Sequence, residues 1–328
     1  MRIVLLPLGY LYAFINSIRR KLYKAGFFKS VSAKCPVISV GNLTMGGSGK
    51  TPFCIHLAKI IEEKGKIPAV ILRGYKRKTK GPIIVDESHS PEDVGEEALI
   101  YKRNLKCQIV VAEKREEALK LLSPNIDAII LDDGFQHLQI HRDIDIVLVD
   151  ANKPDDLLPF PFGKLREPIS SVKSADLVAV TKGEREALPP KIEKHIGKIP
   201  IIFVDYNWKE TFLPNAINIE SLKNKRFLLL LGIGNPDFFI KTADTKGLKI
   251  VHKAIFPDHF FPSKKIVEKI ILDFKENNCD YILTSEKDFI KWKVFKEIEP
   301  LLVFPELVLN VKDDQKHLDN IVFQLLQK

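Results

Sequence analysis

The stretch Val37–Thr51, VISVGNLTMGGSGKT, carries the clearest chemistry in the chain. An apolar, β-branched lead runs into a glycine-rich turn ending in Gly49-Lys50-Thr51, and Phe53–Ile61 beyond it is nearly all apolar. Strand, glycine turn and helix in that order form a phosphate cradle. The turn Thr44, Met45, Gly46, Gly47, Ser48, Gly49 would wrap a nucleotide phosphate with backbone N–H groups, backed by the positive end of the helix. Lys50 would reach the β- and γ-phosphates, and the Thr51 hydroxyl would hold Mg²⁺. The pattern GxxxxGK[ST] asks for glycine at 44, where this chain has Thr44. A tight strand-to-helix turn with an incidental Lys-Thr is the plainer alternative.

A second group lies at Ala128–Leu131, an apolar strand that delivers Asp132 and Asp133 at its C-terminal end. Beside a phosphate cradle, such acids hold Mg²⁺ directly or through water. Gly134-Phe135-Gln136-His137 follows in the same crevice. His141-Arg142-Asp143 imitates the catalytic loop of protein kinases, but Leu148 stands where that loop needs Asn and no DFG follows. Asp143 reads instead as a flank of the next strand. Glu96-Glu97 opens a helix after Gly95, where the helix dipole favours acids; a general base or Mg²⁺ support is the functional alternative. Asp258-His259, after Pro257, reads as a base with its orienting partner or as a turn beside the Ser263 cap. His137 and His141 are four apart without the glutamate of HExxH, so no zinc site is expected.

These residues need a scaffold of some size. At 328 residues with 45% hydrophobic content, the chain can bury sizeable cores, and two domains are expected. The net charge of +9 suits an anionic partner or a lysine-rich solvated surface, and charge alone favours the surface. A nucleic-acid role would rest on that charge alone, so no nucleic-acid partner is expected. Cys35, Cys54, Cys107 and Cys279 form no CxxC pair and read as reduced cysteines.

Short apolar segments supply the strands: Val37–Val40, Pro68–Leu72, Gln108–Ala112, Ala128–Leu131, Asp145–Val149, Asp176–Val180 and Ile199–Val204. Helical segments alternate with them, including Val94–Tyr101 and Arg115–Leu122. The pattern predicts a doubly wound, mostly parallel α/β sheet, with the basic loop Arg73–Lys78 facing its ligand crevice. Trp208 to Lys225, polar and irregular, reads as a linker, and a smaller α/β unit follows, ending in a helix near 315–327. The boundary falls at 1–212 and 213–328. Residues 3–18 are apolar and uncharged, then Arg19, Arg20, Lys21 and Lys24 follow. The run is shorter than the ~20 residues that span a bilayer. Two readings stay open for residues 3–28: a helix lying in a membrane interface, with Tyr10, Tyr12 and Tyr23 as anchors, or a helix packed on the core.

Several phrases recur together: VGNLTMGGSGKTP, LRGYKRKTKG, LDDGFQH with HRD, LREP at 165–168, FPDHF at 256–260 and TSEKD at 284–288. In this order they closely resemble the tetraacyldisaccharide 4'-kinases of lipid A biosynthesis, along nearly the whole chain. Thr44 in place of glycine is normal in that family. The resemblance implies a P-loop kinase, a monomer, that is monotopic on the cytoplasmic face of the bacterial inner membrane. It would use ATP and Mg²⁺ to phosphorylate the 4'-hydroxyl of a lipid disaccharide, tetraacyldisaccharide 1-phosphate. By matching motif, Lys50 and Thr51 bind ATP and metal, and Asp132 and Asp133, with Glu97, serve the metal. Tyr75, Arg115, His137, Arg166 and Glu167 line the substrate crevice, and Asp258-His259 comes from the smaller domain. Members usually read Gly-Asp-Glu-Pro where this chain has Gly95-Glu96-Glu97-Ala98, so Glu96 stands at the place of the family's base. A rival class, the partitioning ATPases of the membrane surface, carries a second lysine in KGGxGKT, where this chain has Met45.

Overall fold

Runs of Val, Ile, Leu and Ala buried on both faces give this protein its strands, and the computed structural model describes residues 2–151, 157–183, 188–313 and 315–327. Among them are β1 (Val37–Asn42), β2 (Pro68–Leu72), β3 (Ile83–Ile84), β4 (Gln108–Val111), β5 (Ala128–Asp132), β6 (Ile144–Asp150) and β7 (Leu177–Thr181). The chain continues through β8 (Ile201–Leu213), β9 (Ile217–Asn218), β10 (Arg226–Leu231), β11 (Lys249–Ile255), β12 (Tyr281–Thr284) and β13 (Leu302–Asp313). They form one sheet in the order β11-β10-β12-β13-β8-β7-β6-β1-β5-β2-β4-β3, with β9 on β8. Neighbours are parallel except at β13–β8, β3–β4 and β8–β9. The expected mostly parallel α/β architecture is present.

Register sets up the site. β1 lies between β5 and β6, with Val40 opposite Asp132, so the turn after β1 and the acids ending β5 emerge at one sheet edge. Gly41 permits this. A Cβ there would lie 2.5 Å from the Phe135 Cβ, so only glycine lets β1 pass under the loop that follows β5. The helix Lys50–Glu63 buries Phe53, Leu57 and Ile61 against one face of the sheet, beside the helix Glu96–Asn104 and the C-terminal helix Gln315–Leu326.

The linker expected over Trp208–Lys225 is not what the chain forms. β8 runs on to Leu213, held along Phe203–Leu213 by antiparallel pairing with β13. Trp208 and Phe212 are buried while Asn207, Lys209 and Glu210 face solvent. The polarity that suggests a linker belongs to the wet side of a strand ribbon. β13 completes the bridge, since Leu302 and Val303 pair with β12 and the rest of the strand pairs with β8.

The N-terminal helix, Arg2–Lys24, is inverted relative to an ordinary surface helix over its second half. Gly9, Ala13, Asn16 and Arg20, at spacings of four, three and four, face the protein. Leu11, Phe14, Ile15 and Ile18 face out, 40 to 61% exposed, and Phe27 beyond the helix is 79% exposed. No helix among the described residues is long and apolar enough to cross a membrane.

Candidate active site at the sheet edge

The glycine turn is built as the sequence predicts. Gly49 caps the helix Lys50–Glu63 in the left-handed region, φ +83°, and its carbonyl accepts from the Tyr206 hydroxyl at 2.9 Å. A Cβ at Gly49 would meet that hydroxyl oxygen at 2.2 Å, so glycine is required twice over. Asn42 donates to the Ser48 hydroxyl, and Met45 N–H donates to the Lys164 carbonyl. Lys182, from the end of β7, donates to the Gly47 carbonyl at 3.2 Å and pairs with Asp150 at 2.8 Å. Thr44 forms a backbone bridge to Leu165.

The two acids ending β5 meet opposite environments. Asp133 adopts φ +51°, and its oxygens face Lys50 at 3.4 Å and Arg166 at 2.6 Å. Buried Arg115 donates to its carbonyl at 2.8 Å. Burial opposes ionisation, yet Lys50, Arg166 and Arg115 together hold the Asp133 carboxyl well below the usual range. For Asp132, burial dominates and Glu97 adds like charge, so its carboxyl is pushed up to about 7. Burial, with Arg115, Arg142, Arg19 and Arg73, pushes the His137 imidazole down to about 3. Its Nε2, 3.3 Å from a Glu116 oxygen, is therefore a neutral ring beside a carboxylate rather than an ion pair.

A second constellation joins the two ends of the chain. Buried Glu96 opens the helix Glu96–Asn104, and its Oε1 lies 3.4 Å from His259 Nδ1. Its Oε2 faces Lys287 at 3.8 Å and Lys291 at 3.9 Å. Lys287 pairs with Asp258 at 2.9 Å and approaches His259 Nε2 at 3.3 Å. Lys291 is fully buried and pairs with Asp288 at 2.7 Å. The Tyr75 ring packs edge-on to the His259 ring, centroids 5.1 Å apart. Glu97, the next residue, acts on Asp132 instead. One helix start thus faces His259 with one acid and the end of β5 with the next.

The model of the tetraacyldisaccharide-1-P 4'-kinase family matches residues 1–327. This chain belongs to that family. The tetraacyldisaccharide 4'-kinase of Chlorobaculum tepidum is 35% identical over 312 residues, covering 88% of this chain and 86% of that protein. The one from Aquifex aeolicus is 35% identical over 308 residues, covering 91% and 92%. A crystal structure of the "apo" form of Aquifex aeolicus LpxK in complex with ATP superposes with a TM-score of 0.81 at 30% identity, covering 99% of each chain.

Within the family frame, several expected residues converge, and one is tied to the N-terminal helix. Lys50, Asp133, Arg115 and Arg166 form one cluster, and Glu96, Asp258, His259 and Tyr75 form another. Glu167 is buried, and its carboxylate is closed by a two-pronged contact with Arg20, at 2.9 and 3.0 Å. Sequence reasoning missed Lys182, Tyr206, Lys287 and Lys291 as site residues. The spacing of Lys287 and Lys291, four apart on the helix Glu286–Trp292, was the available signal, because i and i+4 share a face.

The donors fit Mg²⁺ in kind. Asp132 and Glu97 are crowded carboxylates beside the charge of Lys50, and a hard cation bound by one or two carboxylates plus phosphate oxygens suits such a set. Asp133 is committed to two cationic side chains. Among the described residues no three acids, histidines or cysteines converge on one point as a metal cage.

The raised Asp132 carboxyl has a pH consequence. In the folded chain it keeps its proton up to about pH 7, whereas unfolded it ionises near 3.8. Its contribution to stability is therefore complete below about pH 4 and lost as pH rises towards 7. Asp132→Asn should become progressively more stabilising relative to the parent across that window, by at most about 1.4 kcal/mol per pH unit. Denaturant midpoints without Mg²⁺ or nucleotide measure this; a difference that ignores pH would remove Asp132 as the titrating group.

Proposed function

We propose that this protein transfers the γ-phosphoryl group of ATP to the 4'-hydroxyl of tetraacyldisaccharide 1-phosphate, giving lipid IVA in lipid A biosynthesis. The carrying observation is the divergence of Glu96 and Glu97. Glu96 with His259 stands ready to take a proton, one residue from the acid that acts on Asp132 beside Lys50. Acceptor chemistry and phosphate binding thus share one helix start. The activity for which the family is named and the ATP of the Aquifex aeolicus structure support the same reading.

In the proposed reaction Glu96 accepts the proton of the 4'-hydroxyl, whose oxygen forms the new P–O bond while the bond to ADP breaks. His259 and Lys287 orient the carboxylate. Lys50 releases Asp133 and turns to the β- and γ-phosphates, where its charge acts on the loose transition state. Arg166 and Arg115 hold Asp133 in place meanwhile. Thr51, Asp132 and Glu97 are the residues that would hold Mg²⁺, which would supply neutralisation of phosphate charge. Residues 1–212 supply the nucleotide site, and residues 213–328 bring His259, Lys287 and Lys291 to it.

We place the enzyme, as a monotopic monomer, on the cytoplasmic face of the inner membrane, and the exposed apolar face of the N-terminal helix supports the membrane contact in this reading. Its outward stripe of Leu11, Phe14, Ile15 and Ile18 would enter the lipid interface, with exposed Lys21 and Lys24 against anionic headgroups. A lipid acceptor has to be met there.

In detergent micelles holding tetraacyldisaccharide 1-phosphate and Mg-ATP, the protein should form lipid IVA and ADP together, and Lys50→Ala should lose turnover while keeping its fold. ADP release independent of the lipid, or normal turnover by a folded Lys50→Ala, would point to a different ATPase. Glu96→Gln should slow transfer by roughly 10²–10⁴-fold, the usual range for a lost base. Combined with His259→Ala it should be little worse than the worse single variant, because the two act as a unit. Losses that multiply would show independent roles. For the membrane, deleting residues 1–24 should reduce flotation with anionic vesicles, in a part that salt removes and a part that it does not. Unchanged flotation would leave the helix a purely structural element.

A further inference from the structure

We propose that Arg20 and Glu167 are positioning residues that lock the membrane-facing helix onto the phosphoryl-transfer loops. The inference rests on the kinase reading above and changes one expectation: Glu167 acts through Arg20 rather than on the lipid. Arg20 grips both Glu167 oxygens, at 3.0 and 2.9 Å, and donates to the Phe135 carbonyl at 2.7 Å. Its guanidinium also lies 4.1 Å over the Phe135 ring. One side chain therefore closes both loops, the one after β5 and the one at 165–168. Neighbouring helix residues follow it, with Asn16 donating to the Arg166 carbonyl at 3.1 Å and Arg19 to the Gln136 carbonyl at 3.4 Å.

From those loops the path to the chemistry is short. Arg166 N–H donates to the Leu43 carbonyl, and its guanidinium holds Asp133, which faces Lys50. Gln136 donates to the Asn42 carbonyl, at the mouth of the glycine turn. Phe135 packs against Gly41 of β1. The inward face of the helix is thus in contact with the loop after β5 and the loop at 165–168, which flank Asp133, while its outward face stays apolar and exposed. A planar fork stacked on an aromatic ring and bonded twice to one carboxylate is a rigid joint that lysine does not reproduce. A displacement of about 1 Å at the reacting centre is enough to cost about 10²-fold in rate.

The test replaces both partners, Arg20→Met with Glu167→Gln, so that neither charge is left buried alone. Turnover is measured in detergent micelles against both ATP and tetraacyldisaccharide 1-phosphate, and vesicle flotation is measured alongside. The expected result is a kcat lowered by about 10- to 100-fold, with the lipid KM changed less than about threefold and flotation unchanged. Arg20→Lys, which keeps the charge but not the fork, should lower kcat to a lesser degree, and it carries the test should the paired variant not fold. A normal kcat overturns the proposal. So does a loss confined to the lipid KM, which would make Glu167 a direct ligand of the lipid. No transfer by the unsubstituted protein overturns the kinase reading, and this proposal with it.

Discussion

Asp133 is the charge on which the site's arrangement turns. Its carboxylate balances Lys50 from the glycine turn and Arg166 from the 165–168 loop, while Arg115 fixes its carbonyl. Its left-handed backbone, φ +51°, is a conformation that Asp tolerates better than most residues and one that needs surrounding contacts to persist. Adjacent Asp132 shares the strand end but none of that compensation in the same measure, so burial and Glu97 raise it while its neighbour is held low. Two carboxyls pushed apart in this way are suited to different work. One anchors cations of the protein, and the other is left without that engagement.

The second half of the chain does not hang on a free linker. The β8–β13 ribbon ties it into the sheet, and the helices Glu96–Asn104 and Glu286–Trp292 pack across the junction. Arg103 lies 4.3 Å over the Phe304 ring, and Asn104 donates to Glu286 at 2.8 Å. Any relative movement must bend that ribbon or slide those helices, so the approach of His259 to Glu96 is set by packing. At 3.4 Å the contact is longer than a tight hydrogen bond. The Glu96 carboxylate thereby meets two lysines and a histidine from the other half.

The strand pattern and the glycine turn were legible because both are local. Val37–Asn42, Pro68–Leu72 and Ala128–Asp132 are short apolar runs, and GGSGKT is a contiguous motif. Asp132 and Asp133 followed from the strand that carries them. What escaped was non-local. Lys182, Tyr206, Lys287 and Lys291 become site residues only when β7, β8 and the helix Glu286–Trp292 are folded against distant loops. The linker reading of 208–225 failed for the same reason: an alternation of Trp208 and Phe212 with polar residues makes sense only once β13 lies alongside.

The N-terminal helix shows the same limit from the other direction. Its composition left two readings open, lying on a membrane or packing on the core, and the structure shows one face packed on the loops and the other apolar and exposed. The inward face uses glycine, alanine, asparagine and arginine, residues that fit closely and hydrogen-bond the loops, and breaking its buried ion pair would leave a charge costing about 3–5 kcal/mol. The outward face keeps its large apolar residues in the open, where each forgoes the ~25 cal/mol per Å² that burial gives. A helix stabilised only by its own core would place these residues the other way round. Polar contacts that hold the helix without consuming its apolar surface leave that surface for something outside the chain, and the same contacts fix the loops around Asp133.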